Sequence, residues 1–196
     1  MMANLIVAGA AGRMGRLLIS LVASDKTHHL SGALEAPGVA AVGNDAGEVA
    51  GVGKLGVTIG TDYAALARPD TVTLDFTNAA AALQHLEIAA DKGAAIVVGS
   101  TGFTAEMEAR ARKLAPRTRT IIAPNMSVGI NVLMKVVGEV AAILPDFDAE
   151  VLEIHHRTKI DAPSGTALAI GRLIAEARGQ DFAGNAIHGR KGITGV

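Results

Sequence analysis

Gly9-Ala10-Ala11-Gly12-Arg13-Met14-Gly15 stands where a short apolar run, Asn4 to Ala8, gives way to a segment of helical period, Gly12 to Ser24. Its reading decides the fold. Glycine at a strand-to-helix turn lets backbone N–H groups approach a pyrophosphate, whose charge the helix N-terminus favours. The spacing is G-x-x-G-x-x-G rather than the commoner G-x-G-x-x-G, so an ordinary glycine-rich turn competes with the phosphate reading and the motif needs support elsewhere in the chain.

Support comes from Glu35, about 20 residues beyond Gly15 at the end of the second apolar run, where an acid can accept hydrogen bonds from an adenosine ribose. Together the two features favour a nicotinamide dinucleotide. Arg13 could lie along the adenine or meet a 2′-phosphate. Ala36 and Pro37 after the acid supply no second cation, so NADH should serve at least as readily as NADPH.

Further runs of strand length at Leu30 to Glu35, Thr71 to Asp75, Ala95 to Gly99 and Thr120 to Ala123 alternate with helix candidates at Ala79 to Lys92 and Thr104 to Leu114. Asn78 and Thr104 are placed as N-caps. Ala95 to Val98 is apolar at consecutive positions, as a strand covered on both faces requires. The fold class is therefore α/β, a Rossmann-like doubly wound parallel sheet. Residues 36–62, rich in Gly and Asp, read as a long, partly ordered excursion with a short strand near Val57 to Ile59.

The character changes after Pro124. Val128 to Leu144 reads as a long apolar helix, Ala149 to His155 as a strand, and Ser164 as the cap of a helix reaching about Arg178. Residues 1–127 are thus assigned to a dinucleotide-binding domain and 128–196 to a second, α+β domain.

Two polar turns at strand ends, Gly99-Ser100-Thr101-Gly102-Phe103 and Ala123-Pro124-Asn125-Met126-Ser127, could meet a nicotinamide amide and ribose, although either alone reads as a simple βα turn. The segment Glu153 to Ala167 is more informative. His155, His156, Arg157 and Lys159 cluster ahead of Ser164-Gly165-Thr166, which opens a helix. A helix N-terminus with hydroxyls binds a carboxylate, and nearby cations favour a second, so a small dicarboxylate is the natural substrate. Histidine and lysine there can handle protons near neutral pH. His28, His29, His85 and His188 read as solvated surface residues. No metal site is expected, because adjacent residues of an extended strand face opposite ways.

Composition narrows the classes. The chain has 196 residues, 49% hydrophobic, with 23 glycines, 37 alanines, one tyrosine and no tryptophan, so its core packs through small side chains. Basic and acidic residues nearly cancel, 18 against 19, and neither half carries the basic face that nucleic acid demands. The absence of cysteine removes disulfides and thiolate chemistry. No stretch of about 18 apolar residues crosses a membrane. The expectation is a soluble cytoplasmic protein.

With these residues in hand, the chain resembles the dihydrodipicolinate reductase (4-hydroxy-tetrahydrodipicolinate reductase) family of the diaminopimelate route to lysine. The likeness runs through Gly9 to Gly15, Asp45-Ala46-Gly47-Glu48, Asp75-Phe76-Thr77, Gly99 to Phe103, Asn125 to Asn131 and, most specifically, His155 to Ala167. It implies hydride transfer from NADH or NADPH to 4-hydroxy-tetrahydrodipicolinate, with loss of water, to give tetrahydrodipicolinate. It further implies His155 as proton donor and Lys159 as the second catalytic group, with His156, Ser164, Gly165 and Thr166 at the substrate carboxylates. Gly9, Ala10, Ala11, Gly12, Arg13, Met14, Glu35, Gly99, Ser100, Thr101, Ala123, Pro124, Asn125 and Met126 match the dinucleotide contacts. The family often has arginine where this chain has Ala36, which implies dual cofactor use or an NADH preference.

Members of the family continue for roughly another 50 to 80 residues, and Ile193 stands where they carry the histidine of an H-T-G turn. The chain therefore reads as a C-terminally truncated member with an incomplete second domain. A dinucleotide-binding fragment without turnover is the alternative, and a reductase of another amino or oxo acid is a third reading against which the His155 to Ala167 segment argues. The family assembles as a homotetramer through the second-domain sheet, and an unpaired sheet edge works against that assembly here. Light scattering on the purified chain is expected to show species smaller than a tetramer; a monodisperse tetramer would contradict the expectation.

Overall fold

The computed structural model describes residues 3–157, 159–160 and 162–189. The chain divides into two units, Met1–Ala123 and Pro124–Val196. In the first, strands β1 (Ala3–Ala8), β2 (His28–Leu34), β3 (Ile59–Gly60), β4 (Thr71–Asp75), β5 (Ala95–Val98) and β6 (Thr120–Ile122) form one sheet in the order β3-β2-β1-β4-β5-β6. Every pairing between these strands is parallel. Helices α1 (Arg13–Ser24), α2 (Ala46–Ala50), α3 (Tyr63–Leu66), α4 (Ala79–Lys92) and α5 (Ala105–Leu114) connect them.

Parallel strands need crossovers, and the crossovers bury both faces. Strand β1 shows the result. Ile6 and Ala8 pack with Leu83, Leu86 and Ala89 of α4, whereas Leu5 and Val7 pack with Ile19 and Val22 of α1. Alanine at Ala82, Ala89 and Ala90 keeps α4 close to the sheet, while Leu83 and Leu86 fill the space beside them. The doubly wound arrangement expected from the sequence is the one observed.

The excursion between β2 and α3 is ordered by one side chain. Asp45 caps α2 and also accepts hydrogen bonds from the backbone N–H groups of Leu55 (3.0 Å) and Gly56 (2.7 Å), closing the glycine-rich loop on itself. The strand expected near Val57 to Ile59 is shifted to Ile59–Gly60, because Thr58 instead makes an antiparallel bridge with Asp45.

The second unit contains α6 (Val128–Ile143), α7 (Gly165–Ala177) and α8 (Phe182–Asn185). Helix α7 starts at the expected cap, with Ser164 Oγ accepting from Ala167 N–H, and α6 is capped by Ser127, whose Oγ accepts from Ile130 N–H. The strand expected at Ala149 to His155 is not formed: the described residues of this unit contain no strand, and an isolated extended segment has no ladder to join. The α+β expectation for this unit is thus met only by its helices. The expected features at Ile193 lie outside the described residues. Among the described residues no helix is long and apolar enough to cross a membrane.

Leu86 is fully buried on α4 beneath the sheet. Leu86→Ala is expected to lower the stability of the first unit by about 2 to 5 kcal/mol, through lost burial and a residual cavity, read as a drop in the thermal or urea midpoint.

Candidate active site

The glycine-rich turn is built by close approach. Gly9 has φ +71°, a left-handed conformation that L side chains rarely adopt. At Gly15 a Cβ would lie 2.0 Å from the Gly9 carbonyl oxygen and 2.8 Å from Ala10 Cα, so α1 starts directly against the end of β1. Gly12 is the N-cap of α1 and offers no side-chain cap, which leaves the first-turn N–H groups for an anion. Glu35, immediately after β2, accepts the Ala11 N–H on Oε2 and its neighbour Ala36 N–H on Oε1, both at 2.9 Å. The turn and the acid that the sequence paired therefore touch. These residues fit a dinucleotide: uncapped helix N–H groups for the pyrophosphate and a carboxylate beside them for a ribose.

At the ends of the next strands, Gly99 N–H donates to Asp75 O (2.8 Å) and Ala123 N–H to Val98 O (3.0 Å). Ser100 is buried and Thr101 exposed. Gly99 is held to glycine because a Cβ would lie 2.1 Å from the Phe76 ring.

Between these turns sits a group to which the sequence reading gave no role. Asp75, at the end of β4, is fully buried. Its Oδ1 accepts from Thr77 N–H (3.0 Å), Thr77 Oγ1 (2.7 Å) and Ser100 Oγ (3.3 Å), and its Oδ2 lies 2.6 Å from His85 Nδ1. Burial pushes the carboxyl upward, but the hydrogen bonds from His85 and Thr77 outweigh it and the carboxyl stays below its ordinary range. An ionised carboxylate only accepts, so the Nδ1 position of His85 carries a proton. Tyr63 packs edge-on against His85, with ring centroids 4.9 Å apart, and meets Thr73 Oγ1 at 2.7 Å. Burial pushes the Tyr63 hydroxyl up to about 12.

His85 is therefore not the solvated residue expected. The face of α4 that carries it packs on the sheet, leaving 15% of its side chain exposed. His28 also has a partner, Asp25, at 2.9 Å, and the His188 ring lies edge-on to Phe182 at 6.4 Å.

In the second unit, Glu153 organises the candidate substrate segment. Its Oε1 accepts the Ser164 N–H at 2.7 Å, its Oε2 accepts the Ser164 hydroxyl, and His155 Nδ1 lies 3.6 Å from that same oxygen. The Ser164 hydrogen bonds, with His155 and Lys159 adding positive charge nearby, hold the Glu153 carboxyl below its ordinary value. Ser164 caps α7 through Ala167, and the N–H groups of Gly165 and Thr166, in the same first turn, have no acceptor within the helix. Asn125 Nδ2 donates to Thr166 Oγ1 at 3.1 Å and Asn125 Oδ1 accepts Ser127 N–H at 2.9 Å, so the turn before α6 is tied to the start of α7. His156 is exposed, and Lys159 N–H donates to its carbonyl at 3.1 Å.

The candidate residues thus fall into two sets. Gly9 to Met14, Glu35, Gly99 to Thr101 and Ala123 occupy strand ends of the first unit. Ser164, Gly165 and Thr166 form the start of α7 in the second, where Asn125 meets Thr166 and Glu153 brings in His155, while His156 and Lys159 lie on the loop between; Pro124 and Met126 flank Asn125 in the chain. Thr158 and Asp161 of the same motif lie outside the described residues. Asp75, His85 and Glu153 were missed as contributors. The signal available was a strand, Thr71-Val72-Thr73-Leu74-Asp75, whose polar positions are the buried ones.

Comparison with known proteins was consistent in both halves. Residues 3–126 match the family model described as dihydrodipicolinate reductase, N-terminus, and residues 129–195 match the one described as dihydrodipicolinate reductase, C-terminus. The 4-hydroxy-tetrahydrodipicolinate reductase of Anaeromyxobacter sp. (strain Fw109-5) is 47% identical over 195 residues, covering 99% of this chain and 72% of the relative. That of Geobacter sulfurreducens is 48% identical, covering 99% and 73%. Among solved structures, the dipicolinate-bound dihydrodipicolinate reductase from Paenisporosarcina sp. TG-14 aligns with a TM-score of 0.69 at 27% identity, over 91% of this chain and 67% of the other. An amine dehydrogenase from Mycobacterium smegmatis, with a TM-score of 0.52 and 21% identity over 76% of this chain and 45% of the other, shares the fold.

Asp75 releases its proton more readily in the folded chain than in the unfolded one. The stability it contributes is complete above the unfolded value near pH 4, and is lost as pH falls through the lower folded value. Asp75→Asn is expected to flatten the acid limb of stability between about pH 5 and pH 2, measured by urea unfolding across that range. An unchanged slope would contradict the assignment.

Proposed function

The chain belongs to the dihydrodipicolinate reductase family, and we infer how its residues divide the family's reaction. That reaction is the NAD(P)H-dependent reduction of 4-hydroxy-tetrahydrodipicolinate to tetrahydrodipicolinate, with loss of water, on the diaminopimelate route to lysine. The dinucleotide, when bound, supplies the hydride.

The first unit provides most of the binding groups for the dinucleotide. First-turn N–H groups of α1 take the pyrophosphate, Glu35 takes the adenosine ribose, and the turns at Gly99 to Thr101 and Ala123 to Met126 take the nicotinamide end. For that role Glu35 exchanges its hydrogen bond from Ala11 for ribose hydroxyls. Ala36 places no cation after the acid, which favours NADH or dual use.

The second unit provides the groups for the dicarboxylate. Gly165 and Thr166 N–H groups with the Ser164 and Thr166 hydroxyls form a carboxylate clamp at the start of α7, and His156 adds a donor for the second carboxylate. His155 is the proton donor. Its Nδ1 faces Glu153, so Nε2 is the nitrogen turned to the substrate. Lys159 lies on the same loop and steadies negative charge as the ring is reduced. The single observation that carries the reading is the start of α7, where Glu153 fixes Ser164 and His155 together.

With freshly generated substrate, the purified chain is expected to oxidise NADH at least as well as NADPH. His155→Ala should lower kcat by about 100-fold or more while NADH binding persists. A His155→Ala variant as active as its parent would remove His155 from the chemistry. No turnover by the parent, with NADH still bound, would identify the chain as a binding fragment.

A further inference from the structure

Asp75 is a buried carboxylate that the reaction itself does not use, and an ion is retained out of water only where its partners are well placed. Its neighbours define what it does. Through Oδ1 it holds Thr77, at the end of β4, and Ser100, at the end of β5, which lies 25 positions beyond Asp75 in the chain. The Thr77 methyl lies against the glycine-rich turn at the end of β1, since a Cβ on Gly9 would be 3.0 Å from Thr77 Cγ2. Phe76, between Asp75 and Thr77, packs on Gly99. Three consecutive strand ends, of β1, β4 and β5, are thus held together around one oxygen atom, while His85 fixes the other oxygen from α4.

An aspartate that merely closed its own turn would need only the Thr77 N–H, two residues on. The bonds to Ser100 and His85 go further, and both come from elements that the turn itself does not require. The turns joined in this way are those assigned to the dinucleotide.

We propose that Asp75, locked by His85, is a positioning residue for the dinucleotide, setting the Gly9 and Gly99-Ser100 turns at the separation the cofactor needs. The inference rests on the dinucleotide reading of those turns. It predicts that Thr77 and His85, neither of which carries out chemistry, govern cofactor affinity.

The test uses near-isosteric changes, because Asp75→Ala would leave a cavity and unpaired donors in the core and so confound binding with folding. Thr77→Val keeps the methyl against Gly9 and removes the hydroxyl; His85→Leu removes the donor to Oδ2; His85→Asn places an amide donor where Nδ1 stood. NADH binding is followed by the change in dinucleotide fluorescence on the full chain, with kcat, KM and thermal midpoint measured alongside. Thr77→Val and His85→Leu are expected to weaken NADH binding by about three- to tenfold, the scale of one ordinary hydrogen bond, since the effect on the cofactor is transmitted through the turns. The loss should fall on KM for NADH more than on kcat, and His85→Asn should restore most of the affinity.

Parental NADH affinity in both Thr77→Val and His85→Leu would overturn the proposal. So would a His85→Asn variant no better than His85→Leu at equal thermal midpoint. If His85→Leu fails to fold, Thr77→Val decides alone. A parent chain that binds neither NADH nor NADPH would fail the dinucleotide reading itself, and that result is distinct from a parent that binds and variants that bind equally.

Discussion

The first unit depends on the contact between Gly15 and Gly9. Helix α1 begins so close to the end of β1 that no side chain fits between them. That closeness sets the path of the intervening residues, and with it the reach of Ala11 to Glu35 on the neighbouring strand. A wider entry would swing the axis of α1 away from β1 and separate Ile19 and Val22 from Leu5 and Val7, which form one packed cluster. The phosphate-binding character of the turn and the packing of one face of the sheet are consequences of the same absent side chain.

Much of the first unit could be read from the sequence, because its elements announce themselves locally. Ala79–Lys92 has an Asn cap before it and a glycine after it, and β4 is bounded as its composition implied. The glycine-rich turn and Glu35 were legible as a pair because each has a characteristic position relative to a strand end. The role of His85 was not legible. Its helix has a weakly polarised face, and only the packing of α4 against β4 brings it to Asp75, ten residues earlier in the chain. Glu153 was hidden for a similar reason: its partner is the backbone of Ser164, which no residue pattern encodes. Ala149 to His155 carries the residues of a strand, but propensity without a neighbouring ladder does not make one.

Three carboxylates recur in a common capacity. Glu35, Asp75 and Glu153 each accept a backbone N–H from a turn beside a candidate ligand site, and the first two stand at strand ends. An ionised carboxylate is well suited to this, because it can accept several hydrogen bonds at once and gains more from each than a neutral acceptor would. The chain spans 72% of the length of its Anaeromyxobacter relative, and these three anchors fall in both of the portions that match the family. They hold backbone turns in place through side chains that need not meet the reacting atoms.

The sparing use of aromatic residues has an optical consequence. The chain has no tryptophan and a single tyrosine, Tyr63, so emission excited at wavelengths where its four phenylalanines do not absorb arises from one ring. That ring is buried, bonded to Thr73 and stacked edge-on against His85, one step from Asp75. Every change in that signal therefore reports on the interior of the first unit beside the strand ends, without contribution from the second. The protein carries its own spectroscopic probe, placed by the same packing that keeps its core small.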